Sequence, residues 1–333
     1  MERMIHMRSL RKTVVAALLM SLLLTACAAP VTPQNTTPPT GAPTQAPTQA
    51  PTQEPTDPPF DFPEFTEPTG DILYNTNWDG KTLKILAIGN SFSVDAMTYL
   101  YDIAKAHGVK NVVLGNLYVA GCSLSKHISI GASGKGEYKY YKNTDGKWKT
   151  TSNVSMQTAI EDEDWNIISM QQASSQSGVP SSYDRLDDLQ KLLAGFTDMS
   201  KITTVWHMTW AYHSTSTNNA FIAFNSDQLA MYRGIADAVQ AKVVKEHGIN
   251  IVMATGTAIQ TARTFFGDEL NRDTSHLNEL GQFIAGYTWF VALTGAPVEE
   301  LKFIPDELAL TDAEEEAILH AVNEALFYPF QVS

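Results

Sequence analysis

The sequence predicts an α/β protein with a three-layer α/β/α architecture, in which about five parallel strands form a flavodoxin-like sheet. The first observation is a series of short, almost continuously apolar runs, which are typical of strands buried on both faces. The second is that segments of helical pattern alternate with these runs, as a parallel sheet requires. The third is the polar and aromatic segment 137–153, centred on Asp145 and Gly146, which predicts an inserted β-hairpin.

The elements follow one another in a regular order. The apolar runs of strand length are 83–88, 112–119, 165–170, 202–208 and 249–254. The helical patterns are 95–107, 183–196, 218–247 and 277–294. Gly108, Gly248 and Gly295 follow the first, third and fourth of these patterns, and glycine is common just after a helix ends.

Residues 1–27 predict a lipoprotein signal peptide. A positively charged start precedes an apolar stretch, 14–24, that is short for a membrane span, and LTAC follows, ending at Cys27. Small residues before a cysteine resemble a bacterial lipobox, which implies cleavage before Cys27 and a lipid on its sulfur. The protein is then expected to be anchored at the extracellular face of the cell membrane. An ordinary signal peptide, in which Cys27 has no role, is the alternative.

Residues 28–70 predict a disordered linker. They are rich in proline, threonine and glutamine, repeat the motif TQAP and contain few aliphatic residues. Such a segment cannot bury enough apolar surface to offset the entropy lost on folding. The remaining residues, 71–333, have the length of one domain.

Charge and cysteine content exclude several kinds of site. The formal net charge is −13 and no basic run occurs, which argues against a nucleic acid partner because phosphate binding needs clustered lysine and arginine. With Cys27 lipidated, Cys122 has no partner for an intramolecular disulfide. Cys122, His127, His207 and His213 lack the compact spacing of zinc ligands. We therefore predict neither a metal nor another cofactor.

Ser91 lies at the junction of the first predicted strand and the helix after it, in the sequence GNSF. Reactive groups of open parallel sheets collect beyond the carboxyl ends of the strands. A serine at this place can act as a nucleophile if a histidine removes its proton and an acid orients that histidine. The alternative is that Ser91 only caps the helix.

His276 is the histidine that best fits the role of this base. Of the four histidines that no other feature explains, His127, His207, His213 and His276, only His276 has a carboxylate close beside it in a polar turn. Asp273, three residues earlier, can accept a hydrogen bond from one ring nitrogen and leave the other to face a serine. The alternative is that Asp273 caps the following helix and that His276 is near it by chance.

These motifs resemble those of a known clan. GNSFS after the first strand, LYVAGCSL after the second and Asp-x-x-His near the C-terminus are similar to the SGNH, or GDSL-type, hydrolases. More narrowly, AIGNSFSVDA, GNLYVAGCSLSKH, MQQASSQSG, WHMTWAY, GTAIQTAR and RDTSHLN resemble a bacterial subgroup of that clan whose function is largely unknown. The resemblance covers residues 82–295.

The resemblance implies catalytic roles. Ser91 matches the nucleophile, His276 the base and Asp273 the acid that orients the base. Gly121 matches the glycine whose backbone N–H joins that of Ser91 in an oxyanion hole.

The block after the third predicted strand departs from the clan's pattern. The usual Gly-x-Asn-Asp is replaced by SMQQASSQSG, so no asparagine donor can be named. Gln171 is the candidate for this third oxyanion donor, as a glutamine is in some acetylesterases of the clan, and Gln172 is the nearby alternative. Both glutamines can also be ordinary polar residues at the rim of the site.

Aromatic residues after the fourth predicted strand suggest a carbohydrate cleft. VWHMTWAYH places Trp206 and the other rings at the expected catalytic edge, where flat apolar faces with polar tips suit a sugar ring. Ordinary packing is the alternative. The candidate substrate-binding residues are Asn90, His127, His207, Trp210 and Tyr212.

The sequence as a whole predicts a lipid-anchored, extracellular serine esterase. Its expected partners are an acetylated polysaccharide or another small ester, which it deacetylates, and the membrane that holds its anchor. A lipase-like esterase or an O-acetyltransferase would use the same triad. A non-catalytic glycan-binding lipoprotein is the alternative from another class, because the usual asparagine block is missing.

Overall fold

The structure, a computed structural model, describes residues 71–332. The predictions for residues 1–27, including lipidation of Cys27, and for the linker 28–70 lie outside the described residues.

A seven-stranded sheet with the order β4-β3-β2-β1-β5-β6-β7 forms the centre of the described chain. The strands are β1 Thr82–Gly89, β2 Asn111–Tyr118, β3 Tyr138–Asn143, β4 Trp148–Val154, β5 Ile167–Met170, β6 Thr203–His207 and β7 Val252–Met253. The strands β2, β1, β5, β6 and β7 run parallel, in the flavodoxin-like order. The predicted sheet is therefore confirmed. The hairpin β3–β4 pairs antiparallel with β2 and extends the sheet at that edge.

Helices cover both faces of this sheet. They are α1 Ser91–Met97, α2 Leu100–Ala106, α3 Leu124–Ser133, α4 Met156–Glu161, α5 Leu186–Ala194, α6 Asn219–Ile222, α7 Gln228–Ala238, α8 Thr255–Phe266, α9 Glu279–Thr294 and α10 Asp312–Phe327. A π-helical segment, Val239–Glu246, continues α7, and short 3-10 turns occur at Pro180–Tyr183 and Met199–Lys201. Neighbouring residues of β2 show the two layers: Asn116 contacts Ser93 of α1, whereas Gly115 packs against Trp165 on the other face.

Several elements differ from their predicted bounds. The pattern 95–107 is two helices, and the first begins earlier, at Ser91, because the Asn90 side chain accepts a hydrogen bond from the Phe92 N–H. The run 249–254 forms a ladder only at Val252–Met253. Helices α3, α4 and α8 were not predicted; α4 has only six residues, and α8 begins with Thr-Gly-Thr, residues of low helix propensity.

The turn from β1 into α1 requires a glycine. A Cβ atom at Gly89 would overlap the Ser93 side chain and lie 2.8 Å from Gln171 Oε1. Without a side chain at this position, α1 packs closely on the end of the buried strand β1. The end of α1 that carries Ser91 is thereby held against the sheet.

Candidate functional site

Ser91 and His276 meet beyond the carboxyl end of β1. Ser91 is the first residue of α1, and its Oγ lies 2.8 Å from Nε2 of His276. The two residues are 185 positions apart in the chain. The His276 side chain keeps 29% of its surface exposed, so the pair is accessible from solvent.

Asp273 orients the His276 ring. Its Oδ2 lies 2.8 Å from Nδ1 of His276, while its Oδ1 accepts from the backbone N–H groups of Ser275, at 2.7 Å, and of His276, at 2.8 Å. Burial raises the pKa of Asp273, but these hydrogen bonds outweigh it and hold the pKa well below its usual range. The carboxylate therefore accepts from Nδ1–H and leaves Nε2 free to accept a proton from Ser91. The helix α9 has its own cap, Asn278, so capping of α9 does not explain Asp273.

A second acidic residue fixes the segment that carries this pair. Asp95, one turn after Ser91 on α1, is 1% exposed and accepts from the Leu277 N–H at 3.0 Å and from Arg272 Nη2 at 2.8 Å. Burial raises its pKa despite the nearby Arg272 guanidinium. The helix that carries the nucleophile therefore also anchors the loop of the base. Sequence reasoning missed Asp95, for which the only signal was an acid on a mostly apolar helix.

Two backbone N–H groups lie free near the serine turn. Among residues 71–332, the N–H groups of Ser91 and Gly121 donate to no protein atom. Gly121 has a φ of 57°, which favours glycine. The side chain of Asn90 joins the two segments, because its Nδ2 donates to the Cys122 carbonyl at 3.2 Å while its Oδ1 caps α1. This geometry suits an oxyanion hole made of two backbone donors.

The Gln171 amide is committed to its neighbours. Its Nε2 donates to Asn90 Oδ1 at 2.9 Å, and its Oε1 lies 3.1 Å from Nδ1 of His207. Because Gln171 is also 1% exposed, the geometry fits a residue that holds Asn90 in place and does not fit the predicted oxyanion donor.

The Gln172 amide makes a different set of contacts. Its Oε1 accepts from the N–H groups of Leu124, at 3.0 Å, and Ala173, at 2.8 Å, and its Nε2 donates to the Ser182 carbonyl at 2.8 Å. Gln172 thus joins two loops to the start of α3. The alternative oxyanion donor does not fit this arrangement either.

The predicted carbohydrate cleft requires correction, because its residues are buried. Trp210 is fully buried, stacks on Phe92 with ring centres 4.2 Å apart and donates to the Ser275 carbonyl at 2.8 Å. Tyr212 is 2% exposed and bonds to Ser174 at 2.9 Å. Trp206 and Asn90 are each 1% exposed. These side chains pack beneath the surface of the site and cannot contact a substrate in this structure.

His127 and His207 are also core residues rather than substrate ligands. They are 0% and 1% exposed, and Nδ1 of His127 lies 3.1 Å from the Tyr138 hydroxyl. Burial lowers the pKa of each to about 3, with a smaller effect of Lys126 on His127. Both imidazoles are therefore neutral at physiological pH.

Within residues 71–332, no group of three or more histidine, cysteine or acidic side chains is placed to hold a metal ion. In the same range, no helix has both the length and the apolar character needed to cross a membrane.

The chain matches one known protein family. The model of DUF4886, described as a domain of unknown function, matches residues 84–321. The crystal structure of a DUF4886 family protein from Bacteroides uniformis is 36% identical in sequence, with a TM-score of 0.72 over 76% of this chain and 98% of that chain. No sequence among curated proteins matches the chain significantly.

Two more distant structures add little. A protein from Slackia heliotrinireducens, provisionally described as an SGNH hydrolase, is 17% identical, with a TM-score of 0.40 over 64% of this chain and 99% of that chain. LAE5, an α/β hydrolase from the metagenome of Lake Arreo in Spain, is 11% identical, with a TM-score of 0.37 over 65% and 95%. TM-scores below 0.5 do not establish a shared fold.

Proposed function

This chain belongs to the DUF4886 family, and from the geometry of its site we propose that it is a serine hydrolase of the SGNH type that cleaves carboxylic esters. The observation that carries this proposal is the continuous hydrogen-bonded chain from Ser91 Oγ through His276 to Asp273, with both links at 2.8 Å. A helix cap or a surface ion pair needs no such chain, whereas a serine nucleophile does.

The proposed reaction begins when Ser91 Oγ attacks the ester carbonyl and its proton passes to Nε2 of His276. The carbonyl oxygen becomes an oxyanion, which accepts hydrogen bonds from the N–H groups of Ser91 and Gly121. As the intermediate collapses, the C–O bond to the alcohol breaks and the alcohol takes the proton from His276. Water then attacks the acyl group on Ser91, with His276 again as the base, and releases the acid.

We propose an oxyanion hole with two donors rather than three. Gln171 holds Asn90, and Asn90 in turn holds the Cys122 carbonyl next to Gly121. Loss of one oxyanion donor typically lowers kcat about 10²- to 10³-fold. We therefore expect an active but slow esterase.

The proposed substrate is an O-acetylated carbohydrate outside the cell. It is supported by the predicted secretion signal and linker and by the partial exposure of the Ser91–His276 pair. The aromatic residues that the sequence suggested for sugar binding are buried and do not support it. Acetate release from a panel of acetylated polysaccharides tests it. Transfer of the acetyl group to an added sugar without release of acetate would instead favour an acetyltransferase.

Attachment to the membrane through Cys27 is also a proposal. It rests on the signal-like sequence that ends in LTAC. Metabolic labelling with a fatty acid analogue in the producing bacterium tests it: the wild-type protein should take up label and Cys27→Ser should not. Equal labelling of both proteins would contradict the anchor.

Turnover of p-nitrophenyl acetate by the full-length protein tests the proposed hydrolase. Ser91→Ala should reduce the rate to the uncatalysed level, because no other group then accepts the acyl chain. The control is Ser129→Ala, which removes an exposed hydroxyl that donates a hydrogen bond to the Ser125 carbonyl on α3. Equal rates for wild type and Ser91→Ala would refute the proposal.

A further inference from the structure

The hairpin β3–β4 presents an uncovered surface beside the nucleophile turn. Tyr118, the last residue of β2, pairs with Gly89, and Lys139 of β3 pairs with Tyr118. Since neighbouring strands lie about 4.8 Å apart, Lys139 stands roughly 10 Å from Gly89, which is two residues before Ser91. A polymer whose ester group reaches Ser91 can therefore extend over the hairpin.

Register places side chains of β2, β3 and β4 on one face of the sheet. Residues paired across antiparallel strands share a face. The cross-strand pairs are Tyr118 with Lys139, Asn116 with Tyr141, Tyr141 with Thr150, and Lys139 with Ser152. The face is the one that α1 covers further along the sheet, because Asn116 contacts Ser93. We call Tyr118, Lys139, Tyr141, Thr150 and Ser152 the hairpin face.

The hairpin face combines two aromatic rings with polar groups. Tyr118 and Tyr141 are half-buried, and their rings meet at 66° with centres 5.5 Å apart. Lys139, Thr150 and Ser152 are exposed around them, because β4 is the edge strand and residues 148–153 are open to solvent. Tyrosine rings stack on the apolar side of a sugar, while hydroxyl and ammonium groups bind its polar substituents.

The charge of the hairpin differs from that of the rest of the chain. Residues 135–153 contain five lysines and two acidic residues, in a chain with a net charge of −13. Lys142 pairs with Asp162, and Lys149 pairs with Asp145. Of these five lysines, Lys135, Lys139 and Lys147 form no ion pair with a residue among 71–332. A locally positive surface on an acidic protein attracts an anionic ligand and repels a cationic one.

We propose that the hairpin face binds an acidic polysaccharide, a chain of sugars that carry carboxylate groups, and delivers its ester groups to Ser91. The rings of Tyr118 and Tyr141 pack on sugar rings, and Lys139 pairs with a carboxylate. The delivery step rests on the proposed hydrolase, but the binding step does not. The residues of the hairpin face take no part in the proposed chemistry.

Binding is tested with the full-length Ser91→Ala protein, so that ester cleavage plays no role. The probe is polygalacturonate, with dextran as the neutral comparison, and affinity is measured by calorimetry at two salt concentrations. We expect binding to polygalacturonate that weakens with salt, at least tenfold weaker binding to dextran, and a loss of at least tenfold in affinity for Lys139→Glu. Lys139 is exposed, so this variant should fold.

The matched control is Lys142→Glu on the same strand, whose side chain lies on the opposite face against Asp162. Lys142→Glu should retain its affinity for polygalacturonate to within about threefold. Tyr141→Ala should lose as much affinity as Lys139→Glu does. No binding to polygalacturonate, equal binding to dextran, or equal losses for Lys139→Glu and Lys142→Glu would overturn the proposal. A failure of the proposed hydrolase is seen separately, as equal turnover of p-nitrophenyl acetate by wild type and Ser91→Ala.

Discussion

At the scale of single residues, the site depends on the direction of each hydrogen bond around His276. The two N–H groups that bind Asp273 Oδ1 keep its carboxylate ionised, and Oδ2 is then an acceptor for Nδ1–H. This leaves Nε2 as the acceptor for the Ser91 hydroxyl. The reactivity of Ser91 therefore depends on the tautomer of His276, which Asp273 selects.

Asp273→Asn tests this selection of the tautomer. An amide can present its NH2 group to Nδ1, which favours the wrong tautomer, and we expect kcat for p-nitrophenyl acetate to fall about 10²- to 10⁴-fold. KM should change little, because Asp273 does not contact the substrate. The control is Asp198→Asn, an exposed acid whose side chain caps a distant 3-10 turn. A kcat within twofold of wild type for Asp273→Asn would contradict the role of the carboxylate.

Asn90 and Gln171 form the second test at this scale. If Gln171 acts through Asn90, then Asn90→Ala and Gln171→Ala should each lower kcat, and the double variant should be no worse than Asn90→Ala. If Gln171 donated directly to the oxyanion, the two losses would multiply and Gln171→Ala alone would cost about 10²- to 10³-fold. Steady-state kinetics of the four proteins distinguish the two cases.

At the scale of elements, α1 joins the nucleophile to the loop of the base. Its first residue is Ser91, and its buried Asp95 binds the backbone of Leu277, the residue next to His276. The loop itself is closed by a bridge between Asn271 and Leu277. The spacing between serine and histidine is thus determined by contacts of one short helix rather than by a flexible loop.

Asp95→Asn should loosen this contact. The change leaves Arg272 without its buried partner and weakens the bond to the Leu277 N–H, so we expect about 1–3 kcal/mol loss in the free energy of unfolding. We also expect a fall of about tenfold in kcat, since the loop of the base is less well held. The control is Asp102→Asn on α2, an acid with no ion-pair partner among residues 71–332. Similar effects of both changes on kcat would argue against a positioning role for Asp95.

At the scale of the whole molecule, two buried neutral histidines make stability depend on pH. His127 and His207 have folded-state pKa values of about 3, below the value near 6.5 of an unfolded histidine. Between these values the unfolded chain binds more protons than the folded one. The free energy of unfolding should therefore fall as pH decreases from about 6.5.

Urea unfolding at pH 7 and pH 5 measures this effect. Each buried histidine contributes a limiting slope of about 1.4 kcal/mol per pH unit. His127→Gln and His207→Gln should each reduce the loss between the two pH values relative to wild type, although both variants are less stable at pH 7. An unchanged pH dependence in both variants would show that these imidazoles are not neutral in the folded protein.

Local sequence patterns explain why the sheet and the Asp273–His276 pair were predictable, and the resemblance to the SGNH clan is what joined Ser91 to that pair. Asp273 and His276 share one turn, and Ser91 follows a strand whose apolar run ends at a glycine. The clamp formed by Asp95 was not predictable, because its partners lie 177 and 182 positions away and the clan resemblance gave Asp95 no role. The same holds for Gln171, whose direction is determined by His207 and Asn90 from other strand ends.

The mistaken carbohydrate cleft has a physical reason. An aromatic residue after a strand looks the same in sequence whether later elements cover it or not. Here Trp289 of α9 packs edge-on against His207 at 4.9 Å, and Phe92 of α1 stacks on Trp210. Those helices convert the expected rim into core. The hairpin face lacks such a cover, so Tyr118 and Tyr141 remain half-buried.

The most direct test of the central claim, that His276 makes Ser91 a nucleophile, is covalent labelling by a fluorophosphonate. The full-length protein is treated with the reagent, and the modified peptide is identified by mass spectrometry. We predict a single adduct on Ser91, formed at least 100-fold more slowly in His276→Ala. Labelling at another residue, or an equal rate of Ser91 labelling in His276→Ala, would contradict the account.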